Sequence, residues 1–294
     1  MLKIAVFGAG RGGEAVAKYL STELNTVEVI EVIDWSNLGV TYRDQKEMYR
    51  AACYFLTPYI GKVDLVVLAD YTMSLVIHSL KMLWPEQEII GMEVDFHHVP
   101  KSCQNAKVVT LLANESLFQS EFGKNICRQL SYTDIILPDC TGWEGLIDAG
   151  DMSEDILKLE LGRSFALANN RNTFSRHQNQ TVDQKMNLRT EIIRFLLRTD
   201  SAIRSRPAML GAGCAKEISY NSYTNLLDCT KVQTQSEVWS TEVIYILSTH
   251  FWAIKQDLCD LFGYGTLVVD FRRKLLHDVC LALNLRGVDG RLGE

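Results

Sequence analysis

The residues best placed for chemistry in this 294-residue chain stand near its start. Gly8-Ala9-Gly10-Arg11-Gly12-Gly13 follows the apolar run Ile4-Ala5-Val6-Phe7 and precedes a helical stretch, and Asp34 closes the next apolar run. A glycine turn of this kind can seat a pyrophosphate on a helix N-terminus while the acid accepts from ribose hydroxyls, as in an NAD(P)-binding enzyme. The same glycines also serve any turn that is merely tight. Asp70 and Cys140 form a second candidate pair, a carboxylate and a thiol able to act as an unequal acid and base. Against that stands the ordinary role of a lone loop cysteine as a small filler. His97-His98 after Asp95 suggest metal ligands, yet adjacent residues of an extended segment point opposite ways, and a solvated turn before Pro100 accounts for them. No metal is expected there.

Elements that would position these residues follow from the apolar spacing. Strands are expected near 3–7, 27–33, 63–69, 88–92, 107–112 and 133–137, with helices over 14–24, 45–60, 75–83 and 116–129 between them. That alternation is the pattern of a parallel α/β sheet covered by helices. After Gly150 the composition turns polar up to about Ser236, with Asn169-Asn170-Arg171-Asn172 and 177–184 reading as exposed loop. Arginines 189, 194, 198, 204 and 206 offer either a grip on an acidic partner or a plain solvated helix face. The stretch 237–262 spaces Trp239, Val243, Ile246, Leu247, Phe251, Ile254, Leu258 and Leu261 at steps of three and four, which predicts a long helix. Its aromatics Trp239, Tyr245, Phe251 and Trp252 point in more than one direction, so a partner surface and internal burial are equally good readings. Another strand over 266–271 and a helix over 272–285 close the pattern, and no internal repeat or low-complexity tract is legible.

Composition narrows the function classes. With 47% hydrophobic residues the chain can bury sizeable cores. Its net charge of −6 and pI near 5.6 argue against a phosphate-backbone binder, so nucleic acid is not an expected partner. Eight cysteines at irregular spacings, none in a C-x-x-C, fit reduced thiols in a cytoplasmic protein. The longest apolar runs fall far short of the ~20 residues needed to cross a bilayer, so direct membrane insertion is not expected.

Taken in series, segments of the first half resemble the glutamate racemase family over roughly residues 3–150. The opening strand with Gly8-Ala9-Gly10-Arg11-Gly12-Gly13 is similar to the family's strand and Asp-Ser-Gly-x-Gly-Gly loop, keeping the glycines but losing the Asp and Ser. Asp34 with Leu38-Gly39-Val40-Thr41-Tyr42 resembles Gly-Asp-Thr-x-x-x-Pro-Tyr-Gly, and Leu68-Ala69-Asp70-Tyr71-Thr72-Met73-Ser74 falls where the family has Ala-Cys-Asn-Thr-Ala-Ser. Ile89-Ile90-Gly91-Met92-Glu93 is similar to Ile-Gly-Val-x-Glu, and Leu112-Ala113-Asn114-Glu115-Ser116 to the start of Leu-Ala-Thr-x-Gly-Thr. Cys140-Thr141-Gly142-Trp143-Glu144-Gly145-Leu146-Ile147-Asp148-Ala149-Gly150 resembles Cys-Pro-x-Phe-Val-Pro-Leu-Val-Glu-x-Gly.

The resemblance implies two racemase-like parallel-sheet domains with a divergent, helix-rich C-terminal half. The expected bounds are 1–95 joined by about 237–294, and 96–236 with a divergent insert. It also implies cofactor-free inversion of an amino-acid α-carbon by two cysteines, one removing a proton and the other returning it. Here the first cysteine position is Asp70 and its substrate-binding neighbour is Tyr71, although Thr72 remains. The second belongs in a Gly-Cys-Thr-His-Tyr-Pro motif expected around residue 180, where the chain has no cysteine. A carboxylate of pKa ~4 is a far weaker base than a thiolate near ~8.5. The expectation is therefore a pseudoenzyme with a vestigial pocket of Gly8, Ala9, Asp70, Tyr71, Thr72, Asn114, Cys140 and Thr141. It would act through protein partners in a larger complex, and a degenerate fold of this length resembles soluble subunits of type IV secretion coupling complexes that recruit effectors. Such a subunit would be cytoplasmic and held at the inner membrane by its partners. A cofactor-independent racemase using Asp70 and Cys140, and an NAD(P)-binding enzyme, stand as alternatives, and whether the pocket takes a small molecule is left open.

Overall fold

The computed structural model describes residues 1–36, 45–96, 99–130, 133–161, 164 and 241–285. The chain divides into two compact units, Met1–Asn170 with Thr241–Glu294, and Arg171–Ser240; every described residue belongs to the first. His97, His98 and Trp239, and arginines 189 to 206, lie outside the described residues.

Two all-parallel four-stranded sheets make up the described unit. The first holds β1 (Leu2–Ala9), β2 (Val27–Asp34), β3 (Leu65–Leu68) and β4 (Ile89–Gly91) in the order β2-β1-β3-β4. Each of Leu65, Val66, Val67 and Leu68 is fully buried, because a central parallel strand has helices over both faces and needs no polar alternation. On one face α1 (Gly10–Glu23) lays down Val16, Ala17 and Leu20; on the other α2 (Gln45–Leu56) lays down Met48, Ala52 and Leu56 at helical spacing. There Phe55 stacks on Phe7 of β1 at a centroid distance of 5.6 Å, and α3 (Ile77–Leu83) follows a 3-10 turn over Met73–Val76.

The second sheet repeats the plan. β5 (Val108–Leu112), β6 (Asp134–Ile136), β7 (Val243–Ile246) and β8 (Leu267–Val269) stand in the order β6-β5-β7-β8, again second, first, third, fourth. A short α4 (Lys101–Gln104) precedes it; α5 (Glu115–Gln119), α6 (Glu121–Gln129), α7 (Trp143–Ala149), α8 (Lys255–Phe262) and α9 (Arg272–Ala282) alternate with its strands. Expected as one helix, 116–129 is broken at Ser120. Its backbone is extended there, and its hydroxyl caps α6 by accepting from the Gly123 N–H at 3.1 Å.

Over 241–262, the described part of the stretch expected as one long helix, the helix is absent. Val243–Ile246 is the inner strand β7, His250–Trp252 is a 3-10 turn, and only Lys255–Phe262 is helical. An apolar run buried on both faces of a sheet carries no period of two, so its side chains fit a helical spacing by chance. Tyr245, Phe251 and Trp252, expected as a partner surface or as core, are core: they are 1%, 0% and 7% exposed. The C-terminal segment, expected to join the first domain, places its strands beside β5 and completes the second sheet, while α9 reaches back to touch α1 and β4. Among the described residues no helix is long and apolar enough to cross a membrane.

Tyr245 stacks on Phe271 at 6.0 Å and meets Phe96 edge-on at 5.0 Å. Tyr245→Ala is therefore expected to lower the urea-unfolding free energy by about 3–5 kcal/mol, the range for emptying an aromatic core site. A surface anchor would lose less than ~0.5 kcal/mol.

Candidate functional site

The glycine turn is where the two sheets meet. Gly8 and Gly13 pack backbone on backbone at the end of β1, and Gly10 has φ +50, a conformation that favours glycine. A Cβ on Gly10 would fall 2.5 Å from Asp148 Oδ1; one on Gly12 would fall 2.6 Å from His250 Nδ1 and 2.7 Å from Thr249 Oγ1. The turn thus makes room for side chains of α7 and of the segment after β7. Asp148 Oδ1 accepts from the Arg11 N–H at 2.8 Å, the Arg11 Nε donates to Asp148 O at 3.0 Å, and Thr249 Oγ1 donates to Ala69 O at 3.0 Å. A carboxylate from within the chain takes the place a pyrophosphate would need at this helix N-terminus. Asp34, the expected ribose ligand, is 1% exposed, and its Oδ1 accepts from the Ser36 N–H and hydroxyl.

A cluster of titratable groups surrounds the junction. His250 Nε2 lies 3.5 Å from Asp148 Oδ2 and its Nδ1 lies 3.8 Å from Glu144 Oε1. Glu144 Oε1 accepts from Ser248 Oγ at 2.7 Å and from Asn114 Nδ2 at 3.4 Å. Burial pushes the Glu144 carboxyl up from the usual range; the His250 charge pulls it down and the negative charge of Asp70 pushes it up again. Burial by itself would depress the His250 imidazole, but the contact with Asp148 and the charges of Glu144 and Asp70 outweigh it and raise its pKa to about 9.

Of the residues expected from sequence, Asn114 is brought to Glu144 and Asp70 into the field of Glu144 and His250. Asp70 is also bound into its own loop. Its Oδ1 accepts from the Thr72 N–H at 2.6 Å, from the Thr72 hydroxyl and from the Met73 N–H at 3.2 Å. Cys140 is buried with its thiol toward Pro138 O at 3.8 Å, and Thr141 is exposed with its N–H on Asp139 Oδ1. Gly8 and Ala9 form the strand end ahead of α1.

Tyr71 is 1% exposed. Burial first, then the charges of Asp270 and Asp70, raise its pKa against the pull of Arg272. A second brace lies beside it. Arg272 sits over the Trp252 ring at 5.0 Å and the Tyr19 ring at 5.9 Å, while Asp270 pairs with Arg272 at 2.7 Å and Lys255 at 2.8 Å.

Ser248, Thr249 and His250 were missed in the sequence, and a signal for them exists. Ser248-Thr249-His250-Phe251 keeps the Thr and His of the Cys-Thr-His-Tyr core sought around residue 180, with serine for cysteine. In the sequence, Arg171–Ser240 lies between α7 and β7. Among the described residues, no group of three or more His, Cys, Asp or Glu has metal-holding geometry. Gly12→Ala is expected to destabilise the protein by about 1–3 kcal/mol in urea unfolding, the range for overpacking. Gly265→Ala, with open space at the Cβ position, serves as the control.

No family model matches the sequence, and no curated protein matches it. Solved structures do match the fold. Glutamate racemase from Escherichia coli, in complex with L-glutamate and the activator UDP-MurNAc-Ala, aligns at 13% identity and a TM-score of 0.55, covering 97% of this chain and 83% of that one. Glutamate racemase isoform RacE1 from Bacillus anthracis aligns at 12% identity and a TM-score of 0.57 over 98% and 83% of the two chains. The enzyme from Campylobacter jejuni aligns at 14% and 0.56 over 95% and 84%. At these identities the likeness is one of fold: this chain has the two-domain parallel α/β architecture of the glutamate racemases.

Proposed function

We propose that this chain is a racemase-fold protein without two-thiol racemase chemistry, acting as a protein–protein interaction subunit. The observation that carries this reading is the chemistry at the two relay positions. By the sequence resemblance Asp70 matches the first, its Oδ1 bound by the Thr72 and Met73 amides; by the likeness of Ser248-Thr249-His250 we assign Ser248 to the second, its hydroxyl donating to Glu144. An amino-acid α-proton is very weakly acidic, and a carboxylate is a weaker base than a thiolate by ~4 pK units. A neutral serine hydroxyl is weaker still, and Ser248 has no imidazole bonded to it to draw off its proton. The buried Tyr71 ring, where the resembled family binds substrate through Asn, supports the same conclusion. The assembly suggested by the sequence resemblance is a type IV secretion coupling complex. There the chain would be a cytoplasmic subunit held at the inner membrane by partners and serving effector recruitment.

One observation favours a second reading, cofactor-independent isomerisation. Asp70 and His250 come from opposite sheets and sense each other's charge, so an acid and a base do face one junction. In that case His250, and not Cys140, would be the partner of Asp70.

Two measurements made together separate the readings. The purified protein is incubated with a panel of amino acids in deuterated water, and tagged protein is recovered from its native cells for mass spectrometry. The expected result is no Cα deuteration, with recovery of coupling-complex subunits at stable ratios. Deuterium incorporation that disappears on Asp70→Asn or His250→Gln would overturn the interaction reading in favour of isomerisation.

A further inference from the structure

His250 is held in a way that its place on a turn does not require. Its ring lies against Gly12 in the first turn of α1, where a Cβ would come within 2.6 Å of Nδ1 and 2.8 Å of Cε1. The groups around it come from each element packed on it: Asp148 and Glu144 from α7, Asp70 from the loop after β3, and Arg11 from α1. Arg11 points its Nε to the Asp148 carbonyl, and its amide holds the Asp148 carboxylate, so Asp148 is fastened to the first sheet's helix. Three acids therefore share one buried imidazole, itself 5% exposed.

We infer that His250 is a proton-operated clasp at the junction of the two sheets: its imidazolium, on the turn after β7, packs on Gly12 of α1 and sits beside the α7 carboxylates, one of which, Asp148, holds the Arg11 amide, and loss of the proton loosens that junction. With the proton present, the imidazolium lies 3.5 Å from Asp148 Oδ2 and 3.8 Å from Glu144 Oε1, an attraction of charges without a hydrogen bond at Nδ1, and it offsets part of the surrounding negative charge. Without it, Nδ1 or Nε2 turns a lone pair toward a carboxylate, and the buried acids repel one another with no cation among them. The arrangement is a conformational device for the fold, independent of whether the chain catalyses or recruits.

Folding takes up this proton, since the folded pKa of about 9 lies above the ordinary 6.5. The clasp's stabilisation is complete below the lower value and is lost as pH rises through the higher one. A difference of that size corresponds to a roughly 300-fold tighter hold on the proton in the folded state. Burial also raises the Cys103 and Cys259 thiols, so their ionisation in the unfolded chain adds a slope at the top of this window that wild type and variant share, while Tyr19, raised to about 12, lies beyond it.

The test is a titration of the intact protein's histidine ring protons by NMR, with urea midpoints measured between pH 6.5 and 9 for wild type and His250→Gln. One imidazole is expected to titrate near 9, and the wild-type midpoint is expected to fall more steeply across the window than that of His250→Gln. The inference is overturned if every histidine titrates at or below about 6.5, or if His250→Gln keeps the wild-type slope. Should His250→Gln fail to fold, the ring titration of the wild type decides alone.

Discussion

The carboxylate of Asp148 on the N-terminus of α1 is the contact on which the described structure turns. A helix N-terminus offers unpaired amides and a positive dipole end, so it attracts an anion. Here the anion is supplied by α7 of the other sheet, through the Arg11 amide. Bringing it that close requires a bare backbone, which is why Gly10 and Gly12 stand where any Cβ would collide with Asp148 or His250. The same glycines that suggest a phosphate seat in the sequence are thus spent on seating the chain's own second domain.

The chemistry at the junction follows from that closeness. Thr249 hydrogen-bonds the Ala69 carbonyl, Glu144 gathers Ser248 and Asn114, and His250 lies among three acids. Tyr71 adds a buried ring beside the Asp270 and Arg272 pair, and Arg272 covers both Trp252 and Tyr19. Asp270 shows how strongly the charges are matched: burial would raise its carboxyl, but Arg272 and Lys255 together hold it below the usual range. Aromatic rings whose spacing allowed an outward surface are instead the packing that locks the sheets together.

The two-sheet frame, with one strand order used twice, is the frame of the glutamate racemases. At the junction, Asp70 and Ser248 are each engaged in hydrogen bonds of their own. Fold and chemistry are separable in this way because the frame is held by strand pairing and core packing, whereas the reaction depends on a few side chains at its edge.

The sequence by itself determined the order and the approximate bounds of the first sheet's strands. Leu65-Val66-Val67-Leu68, Ile89-Ile90-Gly91 and the amphipathic Gln45–Leu56 are local patterns whose apolar spacing leaves one reading, and the glycine turn marked the start of α1. The family resemblance also pointed to Asp70 and Asn114, so part of the site was legible. The identity of 243–246 as a strand was decided only by tertiary structure, because a run buried on both faces has no period, and nothing nearby says it will pair with β5. For the same reason Ser248 and His250 were hidden: their partners Glu144 and Asp148 lie about a hundred residues earlier, across Arg171–Ser240. Contacts at that separation leave no trace in local spacing, and only the closing of the second sheet brings them within reach.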